Sequence, residues 1–203
     1  MCGRYLIAME DDIIEMREIL DEINERYKDT PESAAVKTGE IFPTETAPVL
    51  VRGDEKPQAV QMKWGFPKWQ GGGVIINARA DTAQDKLTFR PSLESRRCVV
   101  PTTGFFEWRQ EEGKKKAKYL FRLPETRMLY LAGLYNVFRD GACPYDAYVI
   151  LTADANASVS TYHNRMPLVL LPDEIHAWLT DTAFAYEHVQ RPCRAMLEAA
   201  AAL

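Results

Sequence analysis

The sequence predicts an α+β fold: one domain over residues 1–203, with mostly antiparallel strands in a barrel-like sheet and flanking helices. Three observations predict it. Strand-like runs outnumber helical ones. They follow one another too closely for the long crossovers that regular parallel βαβ units need. The chain has 203 residues, 46% hydrophobic and 27% charged, an ordinary globular balance for one domain with a sizeable core.

The elements can be justified in order. A helix is predicted over residues 9–25, because Ile13, Met16, Leu20 and Ile23 recur on one helical face. Asp12 is placed to cap it, and Glu15 suits its first turn. Residues 28–40 are polar, contain Pro31 and read as a loop. Residues 47–52 and 58–63 read as strands joined by a turn at Gly53-Asp54. The Gly71-Gly72-Gly73 hinge leads into a short β-branched strand, Val74-Ile75-Ile76, which delivers Asn77-Ala78-Arg79. A short helix is expected within 81–95. Strands are expected at 97–101, 104–108, 119–123, 128–133, 147–152 and 167–171, with a charged hairpin tip at 111–118. A helix starts after Pro172 and covers 173–179. The core of the domain spans about residues 2–180. Residues 181–203 form a C-terminal tail of helical bias, interrupted or restarted at Pro192.

Charge and cysteines narrow the function classes. The net charge of −4 announces no nucleic-acid binder, so a basic surface would have to be local. No run approaches the roughly 20 apolar residues of a membrane span, and no secretory segment follows the N-terminus. The four cysteines, Cys2, Cys98, Cys143 and Cys193, form no CxxC pair and suit a reducing cytosol. No metal site and no cofactor are expected, and the chain is expected to be a cytoplasmic monomer without membrane contact, associated with the nucleoid if bacterial.

Four stretches could carry chemistry. If Met1 is removed, Cys2 bears an α-amine and a thiol on adjacent carbons, with reference pKa values of roughly 8 and 8.5. Such a 1,2-aminothiol can close a thiazolidine on an aldehyde, which an internal cysteine cannot do because its nitrogen is an amide. Gly3 allows a close approach, and Arg4 offers a fork of donors suited to phosphate. Glu107 sits in the aromatic strand Phe105-Phe106-Glu107-Trp108. Burial there would raise its pKa and fit it for proton transfer, whereas strand alternation could equally turn it to solvent. His163, two residues before Arg165, could serve as acid or base beside an anion, or lie on the surface. Asn77 could orient a reacting group and Arg79 hold a phosphate. Trp64, Phe66 and Trp69 could be core, or Trp69 could be a stacking wedge for nucleobases. The lysines around 114–118 fit a solvated turn. No HExxH or GxSxG motif is present.

Taken together, these segments resemble the SOS-response-associated peptidase (SRAP) family, also known as abasic-site processing proteins. The resemblance rests on Cys2-Gly3-Arg4-Tyr5, Trp64-Gly65 with Pro67 and Trp69, Asn77-Ala78-Arg79-Ala80, and Gly104-Phe105-Phe106-Glu107-Trp108. It continues through Ala132-Gly133-Leu134-Tyr135, Ile150-Leu151-Thr152 with Ala155-Asn156, and His163 with Arg165-Met166-Pro167, in the family's order. It implies a protein that crosslinks to abasic sites in single-stranded DNA through a thiazolidine on Cys2, shielding the site. Carried over, Cys2 is the nucleophile and Asn77 orients the N-terminus and the opened sugar. Glu107 shuttles protons at the amine and sugar oxygen, and His163 acts in ring opening and adduct reversal. Arg4, Arg79 and Arg165 hold phosphates, Trp69 stacks where the strand bends, and Thr152 lines the site. Asp81 departs from the pattern, where Glu is expected after Asn-Ala-Arg. So do Asn136 and Phe138, where Glu and Trp are common. Three other readings compete: a thiol peptidase or autoproteolytic N-terminal-nucleophile hydrolase using Cys2, Glu107 and His163, a non-covalent reader of single-stranded DNA, and a plain structural or interaction domain.

Overall fold

The computed structural model describes residues 2–8, 13–30, 37–111, 113, 116–141 and 143–202. Strand β1 (Arg4–Ile7) precedes helix α1 (Ile14–Arg26), followed by strands β2 (Gly39–Ile41), β3 (Thr46–Val51) and β4 (Gln58–Trp64). Short strands β5 (Phe66–Pro67), β6 (Val74–Ile75) and β7 (Asn77–Arg79) lead to helices α2 (Ala80–Ala83) and α3 (Arg90–Ser95). Strands β8 (Arg97–Thr102), β9 (Gly104–Gln110), β10 (Lys116–Arg122), β11 (Leu129–Asp140) and β12 (Cys143–Asp154) form the bulk of the sheets. Then come β13 (Arg165–Pro167), β14 (Val169–Leu170), a single 3-10 turn at Pro172–Glu174, helices α4 (Ile175–Thr180) and α5 (Thr182–His188), and β15 (Glu198–Ala201).

The pairing closes a barrel. β12 pairs with β4, β4 with β3, β3 with β8, β8 with β11, and β11 back with β12. Within that five-strand ring only β4–β12 is parallel. A second, antiparallel sheet has the order β15-β10-β9-β1-β2. The chain passes from ring to sheet at Thr102-Thr103, where the Thr102 hydroxyl lies 2.6 Å from Leu6 O and 2.7 Å from Gly104 O. The core between them holds Tyr5, Trp64, Phe66, Phe105, Phe121 and Tyr148, all fully buried.

Helix α1 buries Met16, Leu20 and Ile23, as its spacing predicts. The proposed cap Asp12 lies outside the described residues. Strands β11 and β12 run about twice as far as predicted, paired to Asp140↔Cys143. Polar residues in their distal half hide that ribbon from a hydrophobicity reading. Its pairing is supported by Phe138, which packs on Tyr145 and Phe66 with centroids 6.1 and 5.0 Å apart.

The helical tail needs correction. Among its described residues only Thr182–His188 is α-helix, and Glu198–Ala201 is a strand on the edge of β10, with Leu120↔Ala200 in register. Alanine favours helix locally, but an open strand edge offers a full ladder of hydrogen bonds, and tertiary pairing overrides the propensity.

Candidate active site

Strand β1 pairs with β9 so that Arg4 faces Phe106 and Tyr5 faces Phe105. Continuing that register sets Gly3 opposite Glu107, with Cys2 one residue further. Cys2 is fully buried, and its Sγ lies 3.5 Å from Arg4 O. Burial, and then the Glu107 carboxylate, push the Cys2 thiol far above its usual range, so it is neutral at physiological pH. Because Met1 precedes it in the sequence, the Cys2 nitrogen is an amide until Met1 is removed.

Glu107 is 3% exposed, which decides between the two readings of its strand. Alternation puts it on the same face as Phe105, which stacks on Phe121 with centroids 5.2 Å apart. Both faces of this part of β9 are covered, so the carboxylate points into the protein. Burial raises its pKa, and its electrostatic interaction with His163 is among the influences that pull the other way.

Asn77 reaches the N-terminal strand from β7. The Trp64 indole N–H donates to Ile76 O at 3.0 Å and fixes the residue before it. Gly65 turns the chain beneath at φ +118°, where a Cβ would meet Val74 at 2.8 Å. From this position Asn77 Nδ2 donates to Cys2 O at 2.9 Å. Its Oδ1 is buried and has no hydrogen-bond partner among the described residues.

His163 arrives on the segment between β12 and β13. Backbone turns from Asn156 to Val159 and on to His163 shape it. Tyr162 packs edge-on against Phe121 and Tyr119, at 5.2 and 4.7 Å, and so anchors the residue beside it. His163 Nδ1 is held by the Arg165 backbone, 2.9 Å from its N–H and 3.2 Å from its carbonyl oxygen, which fixes the orientation of the ring. The sequence reading missed Tyr162 as an anchor, although its position next to His163 in an otherwise polar loop was the available signal.

The residues assigned to DNA contact fall in three places. Strand β12 lies between β7 and β13, pairing Thr152 with Arg79 on one side and with Pro167 on the other. That ladder gathers Thr152, Arg79 and Arg165 beside the site. Arg165 donates to Thr152 O and pairs with Asp154, while Arg79 forks onto Asp81. Arg4 lies on β1, with its guanidinium 4.1 Å from the Phe42 centroid and 5.4 Å from that of Trp108. It also pairs with Glu40 at 3.4 Å. Trp69 is 98% exposed on the Gly71–Gly73 loop, whereas Trp64 and Phe66 are core. Among the described residues, no cluster of three or more His, Cys, Asp or Glu could hold a metal ion, and no helix is long and apolar enough to cross a membrane.

Comparison with known proteins comes to the same place. The profile of a family described as SOS response associated peptidase (SRAP) matches residues 1–202. The chain is 30% identical over 186 residues to "Abasic site processing protein YoqW" of Bacillus subtilis, covering 88% of this chain and 80% of that one. It is 25% identical over 181 residues to "Abasic site processing protein YedK" of Escherichia coli, covering 88% and 79%. A solved structure of a protein from Bordetella bronchiseptica superposes with a TM-score of 0.78 at 23% identity over the full length of both chains, which shows a shared fold.

Proposed function

Because this chain belongs to the SOS response associated peptidase (SRAP) family, we propose that it processes abasic sites in single-stranded DNA by forming a covalent adduct through Cys2. The observation that carries the reading is the juxtaposition at the N-terminal strand. A 1,2-aminothiol precursor, a buried carboxylate and an amide hydrogen-bonded to the Cys2 carbonyl meet at one point.

The chemistry follows from those groups. With Met1 removed, the Cys2 amine attacks the C1′ aldehyde of the ring-opened sugar. The carbinolamine loses one water to give an imine. The Cys2 sulfur then adds to the imine carbon, and the thiol proton ends on the nitrogen, closing a thiazolidine. The net change is the loss of one water. A neutral buried thiol leaves the first attack to the amine. Glu107 takes a proton from that amine and returns one to the departing oxygen, and burial, by raising its pKa, makes the carboxylate a better proton acceptor than a solvated one. His163 exchanges a proton with the sugar during ring opening and during reversal. Asn77 holds the Cys2 carbonyl with its N–H, and its Oδ1 accepts from the amine or the opened sugar. Arg4, Arg79 and Arg165 hold phosphates, Thr152 lines the site, and Trp69 stacks on a base at the bend. An abasic site offers both the masked aldehyde and the room left by the missing base.

The test is the intact mass of the protein before and after incubation with a single-stranded oligonucleotide carrying one abasic site. The expected result is a protein lacking Met1 that gains the oligonucleotide mass less one water, in a heat-stable adduct. Cys2→Ala removes the adduct and leaves much of the non-covalent binding, because the arginines remain. An adduct of undiminished yield in that variant refutes the mechanism. Peptide cleavage that depends on Cys2 without DNA would favour the hydrolase reading instead.

A further inference from the structure

Asp81 lies between the two arginines that flank the site on the β12 side. Its carboxylate accepts a forked pair of hydrogen bonds from Arg79, Nε to Oδ1 at 3.2 Å and Nη2 to Oδ2 at 2.6 Å. The same Oδ1 is 3.7 Å from Arg165 Nη2. Arg165 in turn pairs with Asp154 through Nη1. Two cations are thus matched by two carboxylates, and this patch is electrically neutral without DNA.

The two arginines are not equally held. Arg165 has a side chain only 10% exposed and donates to Thr152 O, so it is fixed in the strand layer. Its partner Asp154 is 88% exposed. Arg79 and Asp81 are both exposed, at the end of β7 and in the first turn of α2. An exposed pair of this kind is weak enough to exchange partners. A fork onto two oxygens is also how an arginine grips a phosphate. Asp81 therefore occupies on Arg79 the place that two phosphate oxygens would take. The hydrogen bonds from Arg79 keep its carboxyl below the usual carboxylate range, so it stays ionised at neutral pH. If Arg79 turns to DNA, Asp81 still has Arg165 beside it, so the exchange leaves no carboxylate stranded.

We propose that Asp81 is a specificity-determining residue, an internal phosphate surrogate that holds Arg79 closed and weakens the grip on intact single-stranded DNA. Retention of a strand then depends on covalent capture rather than on charge. This inference rests on the abasic-site reading above.

The test measures binding of an unmodified single-stranded oligonucleotide by fluorescence anisotropy across a salt series, for wild type, Asp81→Asn and Asp81→Glu. The same proteins are run against an abasic oligonucleotide on a denaturing gel. Asp81→Asn is expected to bind the intact strand about two- to fivefold more tightly at low salt, the scale of one exposed ion pair. Its log–log salt slope should steepen by about 0.7 for each added phosphate contact. Asp81→Glu, which keeps the charge, should stay near wild type. Equal or weaker binding by Asp81→Asn at an unchanged slope overturns the proposal and makes Asp81 a strut for Arg79. Should Asp81→Asn melt below wild type, Asp81→Ser carries the same comparison. The two readings fail separately. Loss of the wild-type adduct refutes the abasic-site reading, whereas a normal adduct with no gain in Asp81→Asn refutes only this one.

Discussion

Glu107→Gln separates chemistry from structure most cleanly at this site. The amide has nearly the shape of the carboxyl and can occupy the same buried position on β9. It cannot transfer a proton. General acid–base catalysis is worth about 10²- to 10⁴-fold, so single-turnover crosslinking should slow by at least about 10²-fold. Stability should move the other way. The folded-state pKa of Glu107 is raised, chiefly by burial, so the folded protein holds that proton more tightly than the unfolded chain does. The stability tied to the proton is complete below the unfolded carboxyl pKa and is lost as pH rises through the folded value. At pH above the folded value the wild type carries a buried carboxylate at a cost, and glutamine removes it. The variant should therefore melt at or above the wild-type temperature at pH 8, with the gap closing as pH falls. The assay is a time course on a denaturing gel with an abasic oligonucleotide, beside thermal melts from pH 5 to 8. A rate within about threefold of wild type would refute the proton-transfer role. A slow variant that also melts lower at pH 8 would make Glu107 a structural residue.

Two further substitutions test other parts of the argument. Trp69→Ala removes a fully solvated ring and should leave the melting temperature unchanged. It should weaken single-stranded DNA binding by the equivalent of about 1–3 kcal/mol if one base stacks there, which anisotropy with an unmodified oligonucleotide would show. Arg97→Ala should do the reverse. Arg97 is buried and donates to Leu93 O at 2.7 Å, Glu94 O at 2.8 Å and Leu179 O at 3.4 Å, as well as to Trp178 O, so it closes the C-terminal ends of α3 and α4. Its loss strands several carbonyls and should cost about 2–4 kcal/mol. Denaturant unfolding would measure that loss.

The sequence by itself determined the fold class and the order of the chemical segments. Strand spacing too short for crossovers makes the pairing of chain neighbours antiparallel, and the apolar period of Met16, Leu20 and Ile23 dictates the buried face of α1. The adjacency of amine and thiol at Cys2 is covalent and needs no fold to be read. Local pattern was not enough wherever the deciding interaction comes from far along the chain. Glu107 could not be assigned to core or solvent, because alternation says which residues share a face but not what covers it. Trp64 and Trp69 lie five residues apart with similar surroundings, yet one is core and the other solvated. The difference is the turn at Gly65 and the strand that packs on it. The pKa of the Cys2 thiol is raised because burial removes water from the charged form. The alanine-rich end became a strand because β10 presented an open edge. The convergence of residues 2, 77, 107 and 163 was left to the tertiary structure, since only the pairing of β1 with β9 and the setting of β12 between β7 and β13 bring such distant segments to one point.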